Sequence, residues 1–590
     1  MVIIDVECYT NYFLLSALHK PSGKMLHFES HNDSPIDLDK INRLMQGNTT
    51  VSFNGLGYDL YIIASALTGK TNKQLKTISD KIIKSNLPSY KIAQQLNINV
   101  PKHWDHIDLI DVAPGMSSLK IYGARMNAPK LQDLPIEPSD LIQDNQTELM
   151  RKYCENDLHT TNMLFDTLEK QIDLRVAMSE QYGVDLRSKS DAQIAETVIK
   201  SELEKETGQK YYAPDLDDNY GFYYQNPKII SFQTEQMQKV FDRILKTRFE
   251  LGANGSVKMP DWLKADKINI GRSSYQMGIG GLHSCEKSQH VVRGDNELLM
   301  DLDVASYYPS IILQQRLAPE SLGVPFLRVY QSLVTRRLKA KAEGDTVAAN
   351  TLKIVINGSF GKLGSKWSAL YAPDLLIQTT VTGQLALLML IERLELAGVS
   401  VVSANTDGIV IHTSKANESL IEEIAFDWEM STSYELERTD YKAIASRDVN
   451  NYVAVTGYGV KGKGVFAKTG LMKNPDLPII YEAVAKEVAD GTPAAETIRA
   501  CDDIAKFVSV RKVTGGAVWR DIKLGKTVRF YYSTDVAEDE SIRYAKNSNR
   551  VPKSAGAKPL LDLPETFPKD VDYNAYITAA DKLLCEIGYA

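Results

Sequence analysis

Cysteine is scarce in this chain and scattered. Among 590 residues there are five, Cys8, Cys154, Cys285, Cys501 and Cys585. No two form a CxxC pair, which disfavours both a structural zinc site and a disulfide framework. An excess of basic charge is also missing: 68 Lys and Arg against 75 Asp and Glu leave a net charge of -7. Composition therefore does not mark the chain as a polyanion binder, and any nucleic-acid site has to be a local basic patch. No run of eighteen apolar residues is seen, and Met1 is followed by Val2-Ile3-Ile4-Asp5 with neither a basic nor an apolar leader segment. A cytoplasmic protein, neither secreted nor membrane-spanning, is expected. Low-complexity tracts and internal repeats are absent too. What remains, at 43% hydrophobic and 24% charged residues, is a globular chain long enough for about three to five domains.

Two stretches qualify as local basic patches. Arg336 to Lys366 holds seven Lys or Arg against two acids, and Ile542 to Lys558 holds five with none. On charge alone either is more simply a solvated face. Organisation comes from periodicity. The first hundred or so residues alternate apolar runs (Val2 to Val6, Thr50 to Phe53, Ile107 to Val112) with helical stretches such as Leu60 to Leu67, a pattern that predicts an α/β domain. Leu149, Tyr153, Leu164 and Leu168 predict a closing helix from about Thr147. From about Gly183 to Ser284 the signal is weak and reads as a connector ending in Tyr275-Gln276-Met277-Gly278-Ile279-Gly280-Gly281. A strand over Leu298 to Val304 follows, then a basic helical pair around Glu343-Gly344-Asp345, a long helix near Leu375 to Leu396, and a hairpin turning at Asn405 to Gly408. The last hundred residues read as helices and polar loops.

The first chemical constellation lies near the N-terminus. In a strand Asp5 and Glu7 project from one face, and two carboxylates so placed can share a metal. Tyr153 and Asp157, four apart on a helix, bring a phenol and a carboxylate to one site. Between them, Asp59 follows the glycine-rich turn Ser52-Phe53-Asn54-Gly55-Leu56-Gly57-Tyr58. Such hard oxygen donors suit Mg²⁺ or Mn²⁺ rather than zinc. Each piece alone is commonplace. Together and in order they resemble the DxE, NxxxYD and YxxxD motifs of the DEDDy class of 3′→5′ proofreading exonucleases. The resemblance implies two-metal hydrolysis on Asp5, Glu7, Asp59 and Asp157, with Tyr153 orienting the water. It also implies that Asn54 and Tyr58 contact a single-stranded 3′ end, and that Lys130 lies near the scissile phosphate.

The second constellation begins with Asp301 and Asp303 on one face of the strand. The run Asp303-Val304-Ala305-Ser306-Tyr307-Tyr308-Pro309-Ser310-Ile311 resembles motif A, DxxSLYPSI, of the family B DNA polymerases. Lys353-Ile354-Val355-Ile356-Asn357-Gly358-Ser359-Phe360-Gly361 resembles their KxxxNSxYG fingers helix. Asn405-Thr406-Asp407-Gly408 stands where motif C, DTDS, is expected, and Val460-Lys461-Gly462-Lys463-Gly464 resembles the KxKG element. Gly280 and Gly281 resemble the YxGG segment. The resemblance implies a catalytic pair, Asp303 and Asp407, holding metals with Val304 beside them. It implies a nucleotide site on Arg337, Lys341, Lys353, Asn357, Ser306, Val304 and Phe360, with Tyr308 as the filter against a 2′-hydroxyl. DNA contacts fall to Gly280, Gly281, Lys461 and Lys463. Two departures stand out: Asn405 replaces the first aspartate of motif C, and Phe360 the usual tyrosine.

The fold class expected is therefore multidomain, α/β and α+β: a ribonuclease H-like exonuclease over 1–185, a connector over 186–295, a palm over 296–330 and 367–467, fingers over 331–366 and a thumb over 468–590. The implied activity is template-directed DNA synthesis with 3′→5′ editing, resembling small bacteriophage polymerases. Its cofactors are two Mg²⁺ or Mn²⁺ ions per active site. Its substrates are primer-template DNA and dNTPs; helicase, primase and single-strand-binding protein are expected partners, and a monomer in a host bacterial cytoplasm is expected. Only 38 residues separate Asp303 from Lys341, and 44 separate Gly361 from Asn405. That leaves no room for the long insertions of protein-primed relatives, so an RNA or DNA primer is expected. The alternative is an exonuclease or DNA-binding factor whose polymerase module is inactive, which Asn405 favours.

Overall fold

The structure, a computed structural model, describes residues 1–217 and 219–589. They divide into two units. The first gathers Met1–Ser190, Thr469–Ile479 and Cys501–Ala575; the second gathers Asp191–Lys468, Ile480–Ala500 and the C-terminal residues from Tyr576.

The first unit is built on strand β1 (Val2–Tyr9), in which every residue is buried except Asp5 and Glu7. That near-continuous burial is what a strand covered on both faces requires. Val2, Ile4 and Val6 pack on Ile62 and Ile63 of helix α1 (Asp59–Ala66). Ile3, on the opposite face, packs on Leu158 and Leu164 of helix α3 (Thr147–Thr167). A short helix, α2 (Leu119–Arg125), also packs on α3. Strands β2 (Tyr12–His19) and β3 (Lys24–His31) extend the sheet antiparallel; β4 (Thr50–Ser52) and β5 (His106–Asp108) extend it parallel, giving the order 3-2-1-4-5. The β2–β3 hairpin was not anticipated from periodicity, although Pro21-Ser22-Gly23 marks its turn.

In the second unit, helix α4 (Asp191–Thr207) precedes a two-stranded ribbon, β6 (Gly221–Tyr223) and β7 (Arg248–Glu250). The main sheet has ten strands: β8 (Ile268–Ile270), β9 (Ser273–Gln276), β10 (His283–Ser284), β11 (Gln289–Val292), β12 (Glu297–Val304), β13 (Ser400–Asn405), β14 (Gly408–Ser414), β15 (Leu436–Asp448), β16 (Asn451–Thr456) and β17 (Gly459–Lys463). Its order is 17-16-15-12-14-13-10-9-8, with β11 paired to β15. Between β12 and β13 come α5 (Tyr307–Gln314), the helical hairpin α6 (Gly323–Glu343) and α7 (Thr346–Lys362), and α8 (Pro373–Leu396). Helix α8 is long and apolar enough to cross a membrane, but 83% of its apolar window is buried inside the protein. Its apolarity is that of a core helix: Leu385 to Ile391 are fully buried, and Trp428 donates to the Ala386 carbonyl at 2.8 Å.

Two expectations need correction. Residues 186–295 are more than a connector, since α4 packs along α6 and α7 and β8 to β11 belong to the main sheet. The weak sequence signal reflects strands of two to four residues, too short to show a period. The stretch 468–590 is shared between the units rather than forming one body. Much of it is a second sheet, of strands β18 (Ser509–Trp519), β19 (Ile522–Tyr532), β20 (Ser541–Tyr544), β21 (Arg550–Ala555) and β22 (Ala557–Pro559), where helices and loops were expected. Register shifts break the alternation of β18 with β19 around Gly515 and Gly516, which hides the strand period.

This second sheet joins the rest of the first unit through Arg529. Its guanidinium is buried, has no ion-pair partner within 4 Å among the described residues, and donates to the carbonyls of Leu560, Ala128 and Leu561 at 2.9, 3.0 and 3.1 Å. Leu131 and Leu563 add backbone bonds to Leu561 and Pro129. Arg529→Met would take the side-chain donor from the carbonyls of Leu560 and Ala128, while that of Leu561 keeps the Leu131 amide, so it should destabilise the first unit by about 2 kcal/mol. Hydrogen exchange should quicken in 128–133 and 558–563; unchanged protection there would contradict this account of the joint.

Candidate active sites

In the first unit Asp5, Glu7 and Asp157 present carboxylate oxygens within 4.8 Å of one another, the only group of three or more such ligands among the described residues. The strand period puts Asp5 and Glu7 on the face of β1 that meets α3, and α3 supplies Asp157. Asp59, buried at the first position of α1, is felt by the same cluster. Withdrawal from water pushes all four acids up. In Glu7 the repulsion of Asp5 and Asp157 adds to burial, and in Asp59 that of Asp5 and Asp108. In Asp5 burial outweighs the Cys154 hydrogen bond and Lys120, both of which favour the ionised form. Asp157 is raised to about 7 by burial, with Lys120 opposing and Asp5 adding.

Tyr153 stands one helical turn before Asp157, and its hydroxyl accepts from Lys120 Nζ at 2.6 Å; the ammonium also lies 4.5 Å from the ring centroid. The lysine beside the acids is a different one from the lysine singled out in the sequence. Lys130 is exposed and pairs its backbone with Asp562, whereas Lys120, on α2, is the cation acting on the acids. Nothing in sequence distance separates the two; the packing of α2 on α3 does. Also missed was Asp108, buried on β5, which accepts from the amides of Asn54 and Leu56 at 2.8 and 2.9 Å and so shapes the turn before Asp59. Gly55 is required in that turn: a Cβ there would lie 1.9 Å from Ser52 Oγ and 2.8 Å from His106 Nε2. Asn54 is exposed at φ 72°. Tyr58 turns inward and shares a hydrogen bond with Ser79 at 2.8 Å, so its ring packs on the core.

In the second unit Asp303 ends β12, opposite Gly408 of the β13–β14 hairpin, and the Val304 amide donates to the Asp407 carbonyl at 2.7 Å. Asp301, Asp303, Asn405, Asp407, Lys461 and Lys463 line one cleft of about 250 Å³. Asp303 is raised to about 6 by burial and by Asp301, with Lys461 opposing and Asp407 adding. Gly408 is a tight fit, since a Cβ would lie 2.1 Å from Asp303 Oδ1. Asn405 is tethered: Nδ2 donates to the Val449 carbonyl at 3.3 Å, and Oδ1 accepts from Thr406 Oγ1 at 3.0 Å.

Tyr308, on α5, stacks on Phe360 of α7 with centroids 4.3 Å apart, and its hydroxyl donates to the Gly280 carbonyl at 2.6 Å. Gly281 lies against Thr406 of the hairpin turn. Arg337 donates to Ser306 Oγ at 3.3 Å, linking α6 to the residue before α5. Lys341, Lys353 and Asn357 are exposed on the helical hairpin. Charge pairing separates the seven cations of the first basic patch. Arg336, Lys339 and Lys362 have acidic partners in Glu202, Glu343 and Glu196, whereas Arg337, Lys341, Lys353 and Lys366 have none among the described residues. The second patch is partly neutralised, Lys553 by Asp476 and Lys558 by Asp570.

No family model matches the chain, and no curated protein does. Among solved structures it is similar to the family B DNA polymerase from the hyperthermophilic archaeon Pyrobaculum calidifontis, at 13% identity and a TM-score of 0.40, over 99% of this chain and 77% of that chain. A similarity of that size leaves function to be read from the residues.

The first cluster predicts a pH response. Folded Asp157 keeps its proton up to about 7, whereas the unfolded chain releases it near 4, so between these values the folded state binds more protons. Stability in chelator should therefore fall as pH rises from about 4 to about 7. Asp157→Asn should make that fall shallower, and Mn²⁺ should reverse it at pH 8. Melting curves at pH 5 and 8 check this; equal slopes in both proteins would assign the effect to other groups.

Proposed function

We propose that this protein is a template-directed, DNA-dependent DNA polymerase of the family B type with a DEDDy 3′→5′ editing exonuclease. The observation that carries the reading is the cleft where β12 and the β13–β14 hairpin bring Asp303 and Asp407 together, in a unit where the three cations the motif singles out, Arg337, Lys341 and Lys353, have no acidic partner among the described residues. The sheet order 3-2-1-4-5 and the cluster on β1 and α3 support a ribonuclease H-like nuclease domain in the first unit.

The donor sets are carboxylates with one backbone carbonyl, that of Val304, and such hard oxygen donors suit Mg²⁺ or Mn²⁺. Two ions per site would be held by Asp5, Glu7, Asp59 and Asp157 in the nuclease pocket, and by Asp303, Asp407 and Val304 in the cleft. Bound there, they would supply an activated hydroxide in one site and neutralise the reacting phosphate in the other. The chain's own groups do the rest. Tyr153, held by Lys120, orients the attacking water over Asp157. Arg337, Lys341 and Lys353 neutralise a triphosphate, and Asn357 and Ser306 position it. Tyr308, braced by Phe360 and Gly280, fills the space a 2′-hydroxyl would need. Asn54, Tyr58, Gly280, Gly281, Lys461 and Lys463 contact DNA. Residues 331–366 serve as fingers, 296–330 and 367–467 as palm, and parts of 468–590 as thumb. On this reading the enzyme works as a monomer in phage replication in a host bacterial cytoplasm, extending an RNA or DNA primer beside helicase, primase and single-strand-binding protein.

One observation favours the second reading, a nuclease or DNA-binding factor with an inactive polymerase module: Asn405 is committed to the Val449 carbonyl. Asp407 and Asp303 remain in the cleft, which favours activity.

Primer extension and single-strand degradation, assayed side by side, separate the two. Asp5→Ala with Glu7→Ala should abolish degradation, by about a thousandfold or more, and leave extension intact. Degradation surviving in the purified double mutant would falsify the nuclease assignment. In the cleft, Asp407→Ala should cut extension by about a thousandfold, while Asn405→Ala should stay within about tenfold of the parent. Equal, complete loss in both would make Asn405 an essential part of the metal site; no extension by the parent chain would favour the second reading.

A further inference from the structure

Asp301 and Asp303 share one face of β12, two residues apart, yet their surroundings differ. Asp303 is about half exposed to the cleft, whereas Asp301 is 5% exposed. Asp301 Oδ2 accepts a hydrogen bond from the hydroxyl of Tyr441, a fully buried residue of β15. The same oxygen accepts from Lys461 Nζ at 3.1 Å, and Lys461 Nζ lies 3.1 Å from the Tyr441 hydroxyl. Lys461 belongs to β17, three places from β12 in the strand order, so this contact joins strands that are not hydrogen-bonded neighbours. Its ammonium is 4.0 Å from Asp303 Oδ2, and the side chain stays 46% exposed at the cleft. Asp301 is therefore occupied by a phenol and an ammonium, while Asp303 keeps its oxygens toward the cleft.

We propose that Asp301, together with Tyr441, is a positioning residue that fixes Lys461 at the rim of the cleft to receive a phosphodiester of the primer strand, and that it is not a metal ligand. The inference rests on the polymerase reading of the cleft. A lysine on a flexible four-carbon stem gives a weak phosphate contact unless its head is held. A buried carboxylate with one oxygen shared by a rigid phenol supplies that hold. It also keeps the ammonium from settling on Asp303, 4.0 Å away, where it would compete for the catalytic carboxylate.

Charge alone and positioning make opposite predictions. Deleting a negative group beside a DNA site should strengthen DNA binding if only the field matters; it should weaken binding if the group holds a phosphate-binding lysine. Primer-template affinity is therefore measured by fluorescence anisotropy in EDTA, where neither catalysis nor metal binding contributes, for the full chain and for Asp301→Asn, Tyr441→Phe, Lys461→Met and Asp301→Asn with Lys461→Met. Lys461→Met should weaken binding about three- to tenfold and lower the salt dependence by about one ion. Asp301→Asn should weaken it comparably, Tyr441→Phe less, and the double variant should be no weaker than Lys461→Met alone. Because Asp301 is buried, melting curves accompany each variant, and Tyr441→Phe keeps the ring in place should Asp301→Asn unfold. Tighter or unchanged binding in Asp301→Asn, or in Tyr441→Phe if the former does not fold, overturns the proposal, as do additive losses in the double variant. A parent chain that neither binds nor extends primed DNA overturns the polymerase reading itself.

Discussion

Carboxylates gathered out of water repel one another, and each of the two acidic sites depends on a lysine that offsets this repulsion. In the first unit Lys120 opposes the rise of Asp5, Glu7 and Asp157. In the cleft Lys461 opposes that of Asp303 while bonding to Asp301. Both lysines arrive from elements distant in sequence, and both are steadied by a tyrosine, Tyr153 in one case and Tyr441 in the other. The phenol matters because it accepts from the ammonium while its ring excludes water, which strengthens the local electrostatics. Much of the fold around the sites serves this arrangement: α2 must pack on α3, and β15 to β17 must lie beside β12.

Sequence made the acids legible and left their partners hidden. Asp5 with Glu7, Tyr153 with Asp157, and Asp301 with Asp303 are local pairs whose spacing matches a strand or a helix, so period alone puts each pair on one face. Elements with a strong period, such as Thr147–Thr167, Pro373–Leu396 and the β13–β14 hairpin, fell within a few residues of their expected bounds. Lys120, Asp108 and Tyr441 act across elements, and no spacing within one element reports such a contact. Lys120 and Lys130 show the difficulty: ten residues apart and of the same chemistry, they are distinguished by which elements they pack beside. The second sheet was missed for another reason. Its strands carry Gly515, Gly516 and Gly525 and expose polar residues on one face, so neither an apolar run nor a clean alternation survives.

Charge in the helical hairpin is also sorted by partners rather than by number. Glu196 and Glu202 of α4 neutralise Lys362 and Arg336, binding that helix along the hairpin. What is left unpaired among the described residues is a set of four cations, which a count of seven basic residues does not reveal.

The first unit is assembled from three separate stretches of chain, and this orders events during synthesis. Ile121, Ala124, Ala128 and Leu131 form an apolar cluster completed by Val510, and the carbonyl of Ala128 awaits Arg529. A ribosome adding roughly 5 to 20 residues per second needs roughly 20 to 80 seconds to travel from the end of the first stretch to the end of the last. Throughout that interval the half-built first unit carries an uncovered greasy face and an unpaired carbonyl on the helix that bears Lys120 and the turn after it. The emerging chain is thus exposed to chaperone capture and to aggregation over that period. A simple truncation after residue 190 would leave the same face permanently bare.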